Sequence, residues 1–144
     1  MTAGRILGLD HGQRRIGLAL SDELGLTAQP LGMVANRGER TLDELAEIMR
    51  AQHVARVVLG LPRNMNGSEG EKALAARDFG TRLQARTGVP VAYMDERLTT
   101  VAVQRVLAQT GMSGAKKRRV TDKLAAALIL QTWLDRERSG GRNP

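Results

Sequence analysis

Three isolated carboxylates, Asp10, Glu96 and Asp122, each stand at the end or the opening of an apolar element. Asp10 closes the run Arg5-Ile6-Leu7-Gly8-Leu9, Glu96 follows Val89-Pro90-Val91-Ala92-Tyr93-Met94-Asp95, and Asp122 opens the apolar stripe of the last predicted helix. Singly, each has an ordinary reading: Asp10 can nucleate a turn and Asp122 can cap its own helix. Brought together by a fold, they form a hard oxygen cluster whose members repel one another unless divalent cations sit between them. Such a cluster suits phosphoryl chemistry, in which one ion acidifies the attacking water and a second steadies the leaving oxygen. Asp95 adjoins Glu96, and if the strand persists through both, alternation sends the two side chains to opposite faces, so only one joins Asp10 easily. His11 points away from Asp10 on the same alternation and reads as a turn residue. Whether Asp95, His11 or Asn64 assists is left open by the residues.

An acidic site acting on a polyanion needs a counter-field. The 144-residue chain carries a formal net charge of +7, and residues 112–144 hold eight Lys or Arg against three Asp or Glu. That asymmetry points to nucleic acid. Arg14, Arg15, Lys116, Lys117, Arg118 and Arg119 are the candidates for phosphate contact, the last four because they lie just before Asp122. One Trp, one Tyr and one Phe are too few for a base-stacking platform, so contact is expected through the backbone. No cysteine is present, no apolar stretch approaches a membrane span, and residues 1–4 lead directly into a strand. A cytoplasmic protein without membrane attachment is the expectation.

The positioning elements follow from periodicity. Segments 5–9 and 15–21, joined by Asp10-His11-Gly12-Gln13-Arg14, predict an antiparallel hairpin, with a weaker third strand at 31–35. Thr41-Leu42-Asp43-Glu44 and Ser68-Glu69-Gly70-Glu71 carry the capping-box pattern. They predict helices with Leu45, Ile48 and Met49, then Ala73, Ala76, Phe79 and Leu83, on the inward faces. Segments 55–61 and 89–95 read as strands, 100–108 as a short helix, 111–120 as a mobile basic loop and 121–136 as the last helix. Asp122, Ala126, Ile129 and Trp133 share one stripe of that helix, which turns Asp122 inward. A hairpin followed by alternating strands and helices predicts an α/β fold: a mixed sheet, antiparallel first and then parallel, flanked by helices. Residues 1–138 are expected to form one domain, and 139–144 a disordered tail.

Four segments together resemble a known family. They are Ile6-Leu7-Gly8-Leu9-Asp10-His11-Gly12-Gln13-Arg14-Arg15-Ile16-Gly17-Leu18-Ala19, Gly60-Leu61-Pro62-Arg63-Asn64-Met65-Asn66-Gly67, Asp95-Glu96-Arg97-Leu98-Thr99-Thr100 and Asp122-Lys123-Leu124-Ala125-Ala126. In this order they resemble the YqgF/RuvX family of small bacterial ribonuclease H-like nucleases. The resemblance implies a ribonuclease H-like fold and a Mg²⁺ or Mn²⁺ site built from Asp10, Glu96 and Asp122. It also implies a role in maturing the 5′ end of pre-16S ribosomal RNA, with the small-subunit precursor as a partner, or in cleaving Holliday junctions. Thr121 stands where the family more often has Val, a peripheral change that leaves Asp122 in place.

The preferred substrate is structured RNA over branched DNA. A junction resolvase makes paired symmetric cuts as a two-fold dimer, whereas this sequence shows no dimer seam and reads as a monomer or weak homodimer. Gly8-Leu9-Asp10-His11-Gly12 also resembles the first phosphate loop of actin-like ATPases, but those need two lobes and this chain has room for one. A catalytically silent nucleic-acid-binding module is a further alternative, and retention of all three acids argues against it.

Overall fold

The computed structural model describes residues 4–110 and 114–140, side chains at 108–118 excepted. Strands β1 (Arg5–His11), β2 (Arg15–Ser21) and β3 (Ala28–Ala35) form an antiparallel meander, and β4 (Val54–Leu61) and β5 (Val91–Asp95) run parallel to β1. The lateral order is β3-β2-β1-β4-β5, so the strand that carries Asp10 is central. A tight turn joins β1 and β2, where the Gly12 N–H donates to the Arg15 carbonyl at 3.0 Å. Parallel strands need crossovers, supplied by α1 (Glu39–Ala51) and α2 (Glu71–Thr87). The mixed α/β sheet expected from the sequence is the one observed.

Alternation along the strands sorts two cores. Leu7, Leu9, Ile16, Leu18, Val57, Leu59 and Leu61 face Leu42, Leu45 and Met49 of α1 and Ala73, Ala76, Phe79 and Leu83 of α2. On the other face, Ala19, Val58 and Met94 pack against α3 (Thr100–Thr110) and α4 (Gly114–Arg138) through Val101, Ala125, Ala126, Ile129 and Leu130. Two glycines let α4 lie close to the sheet. A Cβ on Gly8 would stand 2.7 Å from Leu130 Cβ and 3.1 Å from the Ala126 carbonyl oxygen. One on Gly60 would stand 2.6 Å from Ile129 Cδ1 and 2.8 Å from Glu96 Oε2.

Several boundaries differ from the sequence reading. Neither capping box is used. Gly38 precedes α1, and Thr41 lies buried inside its first turn, accepting from the Arg37 N–H at 2.6 Å and donating to the Ala35 carbonyl at 2.7 Å. Gly70 precedes α2, while Ser68 bonds Asn64 and Asn66 within the loop before it. The basic segment expected as a loop is helical from Gly114 onward, because Ala, Lys and Arg are strong helix formers that extend α4 without any apolar period. Residues 111–113 lie outside the described residues. Ser139 donates its N–H to the Asp135 carbonyl at 2.9 Å, and 141–144 of the expected tail lie outside the described residues. Among the described residues, no helix is long and apolar enough to cross a membrane.

Candidate active site

Asp10 lies near the C-terminal end of the central strand, on the face covered by α4. Its cross-strand neighbour is Gly17, which leaves open the space a side chain would take. A Cβ there would stand 3.7 Å from Asp10 Cβ and 3.5 Å from the Asp122 carbonyl oxygen, so β1 and the α4 backbone meet over that glycine. Glu96 comes from the other side. It opens a 3-10 turn, Glu96–Leu98, fastened by the Arg97 N–H donating to Asp95 Oδ1 at 2.9 Å and the Thr99 hydroxyl donating to the Glu96 carbonyl at 2.8 Å. The Glu96 carboxylate then folds back over Gly60. Asp10 is 7 % exposed and Glu96 5 %, while Asp122 is half-buried.

Two buried carboxylates side by side need a cation, and the chain provides one. Arg105 of α3 donates Nη2 to Asp10 Oδ2 at 2.5 Å and Nη1 to Glu96 Oε1 at 3.0 Å. Burial pushes the Asp10 carboxyl up; Arg105 pulls it down without cancelling the rise, and Asp122 adds repulsion. Glu96 is pushed up to about 7, by burial first and by the Asp10 charge second. Burial disfavours the Arg105 charge, but Asp10, Glu96 and Asp122 outweigh it, so the guanidinium is held more firmly protonated than usual. Among the described residues, no three acidic or imidazole side chains stand together at metal-ligand spacing. Asp10 and Glu96 meet across Arg105, and Asp122 joins them through its field at Asp10. Sequence reasoning misses Arg105, although a signal for it exists. It lies four residues after the fully buried Val101, which puts a charge on the inward face of α3.

The other candidates separate clearly. Asp95 is taken up by Arg97, whose Nη2 donates to Oδ2 at 2.7 Å, and this pairing holds its carboxyl below the usual range. Arg97 also donates to the Met65 carbonyl at 3.2 Å, tying the loop after β4 to the 3-10 turn. His11 lies on the opposite face from Asp10, its ring centroid 4.9 Å from that of Phe79, and burial lowers its pKa. Asn64 donates to Ser68 Oγ at 2.9 Å within its own loop. Arg14, in the turn between β1 and β2, and Arg15, the first residue of β2, are both exposed. Arg119 is exposed on the first turns of α4; the side chains of Lys116, Lys117 and Arg118 lie outside the described residues.

A mixed five-stranded sheet in this order, flanked by helices, is a fold already solved elsewhere. The fold is similar to RuvC of T. thermophilus in complex with a Holliday junction substrate, with a TM-score of 0.59, 16 % identity, and 94 % of this chain and 96 % of that chain covered. The family model described as "RuvX: Holliday junction resolvase" matches residues 4–136. A protein of Symbiobacterium thermophilum is 52 % identical over 132 residues, covering 91 % of this chain and 92 % of its own. Another, of Pelotomaculum thermopropionicum, is 45 % identical over 147 residues, covering 97 % and 96 %. Both carry the name "Putative pre-16S rRNA nuclease". This chain belongs to the RuvX family, and the enzyme class which that membership defines is a nuclease, a hydrolase of phosphodiester bonds.

Proposed function

We propose that this protein is a divalent-metal-dependent nuclease that hydrolyses phosphodiester bonds in the 5′-end maturation of pre-16S ribosomal RNA, acting in the cytoplasm as a monomer or weak homodimer. The observation that carries the reading is the pair of buried carboxylates, Asp10 and Glu96, gathered around one cation with Asp122 beside them. Carboxylate oxygens are hard donors of the kind Mg²⁺ or Mn²⁺ takes, and the space between Asp10 and Glu96 that already encloses a guanidinium holds positive charge. Asp10, Glu96 and Asp122 are the residues that would hold the metal. When bound, it supplies Lewis acidity at the attacking water and compensates charge on the leaving oxygen.

The chain's own residues do the remaining work. The 3-10 turn places Glu96, Gly60 leaves the room into which its carboxylate folds, and α4 brings Asp122 near Asp10. Arg14, Arg15, Lys116, Lys117, Arg118 and Arg119 neutralise phosphates flanking the scissile bond, without which the acids would repel the substrate. Such contacts read backbone and shape, so selection of the cut falls to the precursor particle.

The RNA reading rests on the names borne by the relatives. A second reading, Holliday junction resolution, is favoured by the description of the matching family model. Cleavage of a pre-16S leader RNA and of a four-way DNA junction, side by side with Mg²⁺ and Mn²⁺, tests both. Leader cleavage that is lost in Asp10→Asn supports the first. Paired symmetric nicks in the junction by a stable dimer, with the leader left intact, would replace it with the second.

A further inference from the structure

We propose that Arg105 is an internal counter-cation of this site, occupying the space between Asp10 and Glu96 in the metal-free protein and competing with divalent metal for both carboxylates. Resting on the nuclease reading above, this makes Arg105 the residue that sets the metal threshold and must change partners when the metal enters.

Two carboxylates buried to this degree next to one another are costly unless compensated, and a buried acid without a partner takes up a proton or unfolds its surroundings. Arg105 supplies the compensation with its fork, one nitrogen to each acid. Those two acceptor oxygens, Asp10 Oδ2 and Glu96 Oε1, belong to the same carboxylates a metal would use. A guanidinium and a divalent cation cannot share the space between two carboxylates without strong repulsion. Either Arg105 leaves or the metal is kept out. The side chain has a way out: it is 34 % exposed, and it reaches inward from α3, a helix whose other exposed residues include Val103.

Held in this place, Arg105 does two things that simpler residues would not. It bridges Asp10 and Glu96 with positive charge that another cation can replace. It also makes apparent metal affinity the intrinsic affinity reduced by the fraction of protein in which the acids are free. Once displaced, the guanidinium stays tethered at the rim of the site, within reach of a substrate phosphate, for which its fork is equally suited.

Binding of Mn²⁺ alone to the full-length protein, measured by titration calorimetry in wild type, Arg105→Gln and Arg105→Lys, tests the competition. Direct displacement predicts that Arg105→Gln binds Mn²⁺ about tenfold more tightly. It predicts that Arg105→Lys, which keeps the charge but cannot fork across both acids, also gains affinity, by a smaller factor. Side-chain NMR of Arg105 Nε–H in wild type should show the signal move and lose exchange protection as diamagnetic Mg²⁺ is added. Equal or weaker Mn²⁺ binding in Arg105→Gln overturns the proposal. So does a gain confined to Arg105→Gln with Arg105→Lys unchanged, because that pattern is a through-space field and needs no contact. If the nuclease reading alone is wrong, the affinity gains and the NMR response persist while no RNA or junction is cut with any metal.

Discussion

Replacing Glu96 by Gln should stabilise the metal-free protein at alkaline pH and leave it almost unchanged in acid. Glu96 has its carboxyl pushed from 4.5 to about 7 by burial first, then by Asp10, with Asp95 adding to the rise and Arg105 and Lys72 opposing it. Below 4.5 the folded and unfolded chains both hold the proton, and stability does not depend on this group. Between 4.5 and about 7 the folded chain keeps the proton that the unfolded chain has lost, so stability falls as pH rises through that window. Above it the full cost applies, at most about 3.4 kcal/mol for a rise of this size at 1.36 kcal/mol per pKa unit. Gln keeps the shape and an acceptor for Arg105 Nη1 but gives up the charge-assisted part of that bond, which leaves a net gain of about 1 to 3 kcal/mol at about pH 8. At about pH 5 the same arithmetic leaves a difference below about 1 kcal/mol. Asp10, raised in the same direction, deepens the wild-type trend. Urea unfolding of both proteins with EDTA, at the two pH values, gives the comparison. Saturating Mg²⁺ should then stabilise wild type far more than the variant, because binding energy adds only where the ligand set is intact. A variant less stable than wild type at about pH 8, or a difference that ignores pH, would show that Glu96 is not a strained buried acid and that the electrostatic account of the site is wrong.

Asp10→Asn and Asp122→Asn should each lose cleavage while remaining folded; near wild-type rates in either purified variant would remove that residue from the metal site. Gly60→Ala should cost only about 1 kcal/mol, since its new methyl meets the flexible ends of Ile129 and Glu96, yet lose most activity by moving the Glu96 carboxylate. Gly8→Ala should cost more, about 1 to 3 kcal/mol, because it presses on the Ala126 backbone and must lift α4; equal stability of the two variants in urea would contradict this packing. Neutralising Lys116, Lys117, Arg118 and Arg119 should weaken RNA binding and flatten its salt dependence, by about 0.7 to 0.9 in log–log slope for each phosphate no longer neutralised. An unchanged slope would show that the run does not touch phosphate.

Much of this protein is legible in its one-dimensional pattern. Two short apolar runs at 5–9 and 15–21 around a Gly-containing turn, and the crossover helices between later strands, dictate a mixed sheet, because hairpin strands pair locally and parallel strands require a returning helix. Strand alternation separates Asp10 from His11 before any contact is known, whereas Glu96 parts from Asp95 because β5 ends at Asp95 and a 3-10 turn begins there. Helix starts are less legible. Thr41 and Ser68 have the right neighbours for caps, but tertiary bonds to Ala35 and within the loop at 64–68 claim their hydroxyls instead. The start of α4 is hidden because a helix without an apolar stripe leaves no periodic trace.

What the chain alone determined is the inventory: three acids at element ends and an excess of basic charge near the C-terminus. What only the tertiary structure decided is how those acids are compensated. Arg105 is separated from Asp10 by 95 residues and from Glu96 by nine, and no local rule pairs them. They meet because α3 follows directly on the 3-10 turn and packs along α4, which covers the face of the sheet that carries Asp10. Burial then turns an ordinary arginine into the strongest available partner, since a shared charge inside a protein is governed by the low-dielectric surroundings that three-dimensional packing creates.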